Sequence, residues 1–418
     1  MKFLKTALFS LGLFVCQYPL SQAYAFESAY ERAESAGIVL GIDVLEKRGF
    51  DVLQGKRVGL VTNQTGRSVT GEATIDILRR ASGVRLVALY GPEHGVRGNA
   101  VAGAHVGNSR DAATRLPVFS LYGSTRQPTA AMLKGVQTLV FDMQDVGSRS
   151  YTFLATLEKC RQACAANNIR LVVLDRPNPL GGATEGNIPQ KFSFVCPFPM
   201  PYRSGLTIGE TAHWLNARAQ KKCPLTVVPL ENYGRQPFSQ TGLTWTRSSP
   251  NIPRDTSAFF YGATGLLGEL PALSIGIGTP RPFELAGAPN LNAIALAARL
   301  NNRGLKGWNF RAVYWIPTSG RYAHKRCQGV QIELLDPNIA QVTRLNFEIY
   351  DAVRHVAPSL SFFKSARHND MFDKVCGTNQ IRRLMQQGQS ASALWSVWNR
   401  GAAPFQKQVE PFRLYPKS

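Results

Sequence analysis

Acidic residues are scarce in this chain: 27 Asp and Glu stand against 48 Lys and Arg in 418 residues, a formal net charge of +21. No run of five or more basic residues accompanies that excess. A basic arm for nucleic acid is therefore not expected, and the charge reads as a field for anionic polymers. Long apolar stretches are missing beyond the N-terminus, so no stable membrane insertion is expected. Several catalytic signatures are missing as well. Without GxSxG there is no nucleophile elbow. Without CxxC or HExxH there is no zinc pattern, and Gly276-Ile277-Gly278-Thr279 is only a fragment of a phosphate-binding loop. Glu93, His94 and His105 match no known ligand spacing. No metal and no cofactor are expected.

What is present describes a folded, exported enzyme-sized chain. Hydrophobic residues make up 44% and charged residues 18%, enough to build cores, and the length suits two domains. Residues 1–25 read as a secretory signal: Lys2 and Lys5, an apolar run from Phe3 to Val15, and a small-x-small site at Ala23-Tyr24-Ala25. Cleavage after Ala25 predicts a periplasmic or secreted protein. Val15 is a poor neighbour for a lipidated Cys16, which argues against a lipoprotein. Six cysteines then remain, Cys160, Cys164, Cys196, Cys223, Cys327 and Cys376, expected to be structural thiols or bridges.

From Arg57 the pattern alternates apolar strands with helices. Strands are predicted at Arg57–Thr62, Arg85–Tyr90, Val118–Leu121, Thr138–Phe141, Leu171–Leu174 and Leu225–Val228. Helices are predicted near Glu72–Arg80, Tyr151–Asn167 and Ile208–Ala219. Near-continuous apolar strands with intervening helices predict an α/β fold with a doubly wound, Rossmann-like parallel sheet over residues 26–262. A smaller α/β or α+β domain is predicted over 263–418, with a cleft between the two.

In such sheets ligands bind beyond the carboxyl ends of the strands. Here those ends carry polar clusters: Thr62-Asn63-Gln64-Thr65, Pro92-Glu93-His94-Gly95, Asp142-Met143-Gln144-Asp145 with Arg149 and Tyr151, and Asp175-Arg176-Pro177-Asn178 with Glu185 beyond. Carboxylates, amides and guanidiniums with few apolar groups suit a polyhydroxylated ligand such as a sugar. Glu93, flanked by proline and histidine on a glycine-bounded loop, has few local reasons to be there. Asp142 could equally cap a helix, Asp145 and Arg149 could pair with each other, and Asn178 could form a turn. His213, beside Trp214 on a predicted helix, reads as structural.

These clusters, taken with Leu206-Thr207-Ile208-Gly209-Glu210, Ser249-Pro250-Asn251-Ile252-Pro253 and Pro282-Phe283-Glu284, occur in an order that closely resembles the NamZ family of exo-β-N-acetylmuramidases. The resemblance runs from about Gly41 to the C-terminus. It implies a glycosidase releasing N-acetylmuramic acid from the non-reducing ends of peptidoglycan fragments of the MurNAc-GlcNAc type. It also implies Glu93 as catalytic acid, with His94 and Asp145 beside it. Asp145, Glu185 and Glu210 are candidates for the second catalytic group, the substrate's own N-acetyl group being the alternative. An arginine, Arg149, Arg176 or Arg203, is expected to meet the lactyl carboxylate. Asn63, Tyr151, Asn178, Glu185 and Asn251 complete the expected substrate contacts.

The chain departs from the family pattern in two places. Ser204 stands where the family usually has histidine, and Ile275 and Ile277 replace a glutamate and an arginine. The two isoleucines open an alternative: a wall-binding protein that has the fold but not the turnover. An amidase or esterase would need a metal site or nucleophile motif that the sequence does not offer.

Overall fold

The computed structural model describes residues 37–92, 95–97, 109–123 and 125–416. The expected signal segment and the acidic stretch after it lie outside these residues, as do Glu93, His94 and His105.

A seven-stranded sheet forms the first layer, in the order β3-β4-β2-β1-β5-β6-β7. Its strands are β1 (Arg57–Thr62), β2 (Arg85–Gly91), β3 (Ser109–Arg110), β4 (Pro117–Ser120), β5 (Thr138–Asp142), β6 (Arg170–Leu174) and β7 (Leu225–Val228). All pairings are parallel except β3 with β4 at the edge. Period-two alternation divides the strands between two cores. Leu139, Phe141, Leu171 and Val173 face the Thr152–Asn167 and Ile208–Arg218 helices. Val140, Val172 and Leu174 face the opposite side with the Gly41–Lys47 and Thr74–Arg80 helices. Burial on both faces is why these strands read as continuous apolar runs.

The chain leaves β1 toward β2 on one side and later returns to β5 on the other. The gap between the loops after β1 and β5 is thus the topological switch point, where an open parallel sheet leaves room for a ligand.

A third core lies beyond the sheet. It joins a three-stranded antiparallel sheet, β8 (Leu285–Ala288), β10 (Cys327–Leu334) and β9 (Trp308–Trp315), to the Ser257–Gly268 and Leu345–Val356 helices. The expected domain boundary at 262/263 falls inside the Ser257–Gly268 helix. Both halves of that helix pack in this third core, Phe259 and Phe260 as well as Leu266 and Leu267, so the change of core comes before Ser257.

The C-terminal segment does not stay with the third core. Phe405 and Val409 pack under the sheet with Trp214, and Tyr415 joins the opposite core. The Phe405 and Trp214 ring centroids are 5.5 Å apart. All six cysteines of the described chain are buried free thiols.

Candidate functional site at the sheet's carboxyl edge

The loop after β1 is held by its own side chains. Thr62 Oγ1 donates to the Asp142 carbonyl at 2.8 Å, tying the ends of β1 and β5 together. Asn63 Oδ1 accepts from Thr65 N at 2.9 Å, and Thr65 Oγ1 accepts from Gln144 N at 2.9 Å. A Cβ on Gly66 would lie 2.1 Å from Thr62 Oγ1, so only glycine lets the chain pass there. Asn63 Nδ2 is buried without an acceptor among the described residues.

The loop after β5 carries two carboxylates in contrasting environments. Asp142 is fully partnered: Arg176 grips it in a two-point ion pair, with Nη2 at 2.9 Å, and Thr74 Oγ1 donates to it. Asp145 has no cation among the described residues. Its Oδ1 accepts from Gly147 N at 2.7 Å, while Oδ2 is buried with no partner among the described residues. Burial pushes its carboxyl up to about 7, against which the backbone N–H groups of Gly147 and Val146 pull only weakly. Gly147 makes that geometry with φ +78°, and a Cβ there would lie 2.2 Å from Asn178 Oδ1.

Space lies on either side of Gln144 and Arg176. A cavity of about 320 Å³ is walled by Thr65, Arg67, Gln144, Arg176 and Phe238. A small pocket of about 10 Å³ is lined by Asp145, Asn178 and Ser204 and has room for about one water molecule. Tyr151 stands further along the same loop, its hydroxyl donating to Ser248 Oγ at 3.0 Å, and burial raises its pKa. The segment carrying Ser248 and Asn251 is thereby brought to the site. Asn251 is partly buried, its N–H donating to Ser249 Oγ at 3.3 Å.

Other expected site residues are committed elsewhere. Arg149 is 1% exposed, and its guanidinium donates to the carbonyls of Asn187, Met200, Val375 and Cys376. It joins the two parts of the chain and has no pairing with Asp145. Glu185 accepts from Arg203 Nη1 at 2.7 Å, Thr343 N at 2.7 Å and Val342 N at 3.1 Å. Arg203 and Glu185 therefore neutralise each other at the junction, in the manner of a buried structural pair. Glu210 closes a capping box with Thr207 and pairs with Arg235. Asn178 spends its amide on the Leu206 carbonyl and Leu180 N, which is the turn role. Of the three arginines expected to meet a carboxylate, Arg176 alone lines the cavity.

The two substituted isoleucines are packing residues: Ile275 is buried in the third core and Ile277 packs against it. Ser204 Oγ accepts from Leu206 N at 3.2 Å beside the small pocket. Gln144, whose Nε2 donates to the carbonyls of Asp145 and Pro177, walls both spaces and was passed over in the sequence although it sits in the same motif. Asp175 was expected only as part of a polar strand end. It accepts from Thr207, Gly209 and Tyr415, and burial lifts it to about 6.

Glu93 and His94 follow β2, the neighbour of β1 opposite β5. Their described flanks are joined by a hydrogen bond from Gly95 N to the Pro92 carbonyl at 3.0 Å. The ends of β2 and β5 stand two strand spacings apart, about 10 Å.

Comparison with known proteins covers most of the chain. The model of exo-β-N-acetylmuramidase NamZ matches residues 58–256 with its N-terminal part and 259–415 with its C-terminal part. The chain is 38% identical over 393 residues to the peptidoglycan β-N-acetylmuramidase NamZ of Bacillus subtilis (strain 168), covering 93% of this chain and 94% of that one. A crystal structure of a DUF1343-family protein from Bacteroides fragilis superposes with TM-score 0.87 at 41% identity, covering 90% of this chain and 99% of that one. A second such protein from the same organism gives 0.71 at 27% identity, covering 91% and 99%. With ordered motifs, a sheet with its switch-point site and both family models in agreement, the chain belongs to the NamZ family of exo-β-N-acetylmuramidases.

Proposed function

We propose that this glycosidase is exported and releases N-acetylmuramic acid from the non-reducing ends of peptidoglycan fragments, with Glu93 as general acid and Asp145 as the second carboxylate. The observation that carries the reading is Asp145 itself. Among the three candidates for that role, Glu185 and Glu210 are neutralised by arginines, whereas Asp145 keeps a buried oxygen with no partner among the described residues. Glycoside cleavage needs one carboxyl to protonate the leaving oxygen and a second to act across the ring, at separations of roughly 5 to 10 Å. Strand ends about 10 Å apart are suitable anchors for such a pair.

Asp145 would accept a proton from an attacking water, or, where the substrate's acetamido carbonyl oxygen attacks the anomeric carbon, would hold and take the proton of that group's N–H. Its raised pKa makes it a better base than an ordinary carboxylate. Arg176 would present its guanidinium edge to the lactyl carboxylate from the cavity wall, steadied by Asp142. The net charge of +21, which removal of Lys2 and Lys5 with the signal would leave at 21 − 2 = +19, supports attraction to anionic wall material, and the signal-like first 25 residues support export.

Release of free N-acetylmuramic acid from a MurNAc-GlcNAc disaccharide tests the reading. Wild-type protein should turn it over, and Glu93→Gln should be slowed at least a hundredfold, about 2.7 kcal/mol of barrier. Binding of the disaccharide without release by wild type would instead identify a wall-binding protein.

A further inference from the structure

We propose that the tip of the β9–β10 hairpin docks reversibly on an anionic lipid surface. Lys325 and Arg326 meet lipid phosphates there, while Tyr314 and Ile316 enter the headgroup layer. The contact is shallow and separate from the site at the sheet's carboxyl edge.

Charge sets this region apart. Residues 285–332 contain no Asp or Glu in 48 positions, yet they carry seven Lys and Arg. At the tip, His324, Lys325 and Arg326 are consecutive and exposed. Neither Lys325 nor Arg326 forms an ion pair among the described residues, and Arg326 instead lies over the Tyr314 ring, 5.2 Å from its centroid. Arg321 is half-buried, faces the carboxylate of Glu269 and is not counted with them.

Exposed apolar side chains gather in the same place. Tyr314 continues the row of Trp308 and Phe310 along β9 but lies beyond the third core, 54% exposed. Ile316, just past the strand, is 60% exposed. Tyr314 pairs across the ladder with Gln328, two residues from Arg326. His324 N donates to the Pro317 carbonyl at 2.8 Å, which brings the basic run back beside Ile316. Gln328 also pairs with Ala288, so the Ala293–Asn301 helix, with Ile294 69% exposed in its first turn, begins at the same end of the sheet. The tip is held in shape: Thr318 N donates to the Gly278 carbonyl at 2.8 Å, and the Tyr322 hydroxyl to the Ala272 carbonyl at 3.0 Å. A preordered surface spends little entropy on docking.

Charge complementarity makes the occupant an anion, and the apolar side chains make it a lipid surface. A soluble polyanion would satisfy the cations but leave Tyr314 and Ile316 in water. A second copy of this chain would set like charges against each other. Aromatic rings at headgroup level and basic side chains on lipid phosphates are the usual division of labour at such an interface.

The test is sedimentation of the full chain with phosphatidylcholine vesicles, with and without an equal part of phosphatidylglycerol. Binding to the mixed vesicles is expected at low salt, falling as salt rises. It should weaken at least tenfold, about 1.4 kcal/mol, when Lys325→Glu and Arg326→Glu are combined. The same change of charge at Lys221 and Lys222, exposed ahead of β7, should leave most of the binding in place. Tyr314→Ser combined with Ile316→Ser should weaken binding at least fivefold, about 1 kcal/mol. No binding to the mixed vesicles at low salt, or equal weakening by the Lys221 and Lys222 change, would overturn the proposal. Vesicle binding untouched by the Tyr314 and Ile316 change would assign the patch to a soluble polyanion and overturn the lipid surface.

Discussion

A buried carboxylate without a cation is costly, and among the described residues Asp145 has none. Its carboxyl is raised from an ordinary 3.8 to about 7, so the folded chain holds a proton that the unfolded chain releases. Between those values the native state binds more protons than the unfolded state, and stability must fall as pH rises. The strain is removed by Asp145→Asn, which keeps an acceptor for Gly147 N and never ionises. The variant is expected to gain melting temperature relative to wild type as pH is raised from 4 to 8. A thermal scan at both ends of that range checks this. A difference that is flat with pH would mean that Asp145 is not held protonated. Asp142 offers the opposite case: its charge is matched by Arg176, so the two aspartates three residues apart have different tasks.

At the scale of elements, the Glu185–Arg203 pair decides how the two parts of the chain meet. Glu185 holds the Val342 and Thr343 N–H groups just before the Leu345–Val356 helix while neutralising a buried guanidinium. Removing the carboxylate leaves that charge uncompensated, so Glu185→Ala should lose about 3–5 kcal/mol in urea unfolding. A loss under 1 kcal/mol would show the junction to be held by other contacts. Sequence reasoning assigned Glu185 and Arg203 to substrate because a polar residue beside a strand end reads the same whether it meets ligand or backbone. The strands themselves were legible, since β1, β2, β5 and β6 are apolar on both faces and bounded by turns. Less legible were β9, whose burial is irregular along its length, and the Ser257–Gly268 helix, whose glycines and threonine interrupt an apolar run that has little amphipathic contrast. Asp145 was legible as a candidate, but its free oxygen was not, because that depends on which cations fold elsewhere.

At the scale of the whole molecule, the C-terminal segment closes the structure. Tyr415 donates to Asp175 at the end of β6 and accepts from Leu230 N at 2.9 Å, and its carbonyl takes Arg235 Nε at 2.8 Å. Leu414 N adds a bond to Glu210 at 2.7 Å. Nothing in the local pattern of Arg413-Leu414-Tyr415 signals a partner more than 200 residues away, which is why this return could not be read from sequence. Deleting residues 414–418 strands several buried polar groups, each worth roughly 1–3 kcal/mol. The truncated chain is expected to unfold well below wild type in a thermal scan, and an unchanged midpoint would show the tail to be dispensable.

The proposed hydrolysis requires Asp145 to act as the second carboxylate, with Glu93 as the acid. The most direct test is the pH profile of kcat/KM for MurNAc-GlcNAc hydrolysis by wild type and Asp145→Asn. The expected result is an acidic limb near pH 7 in wild type and at least a hundredfold loss in the variant, which should still melt as a folded protein. Full activity in Asp145→Asn, with the limb in place, would contradict the assignment and move the second catalytic role to the substrate or to another residue.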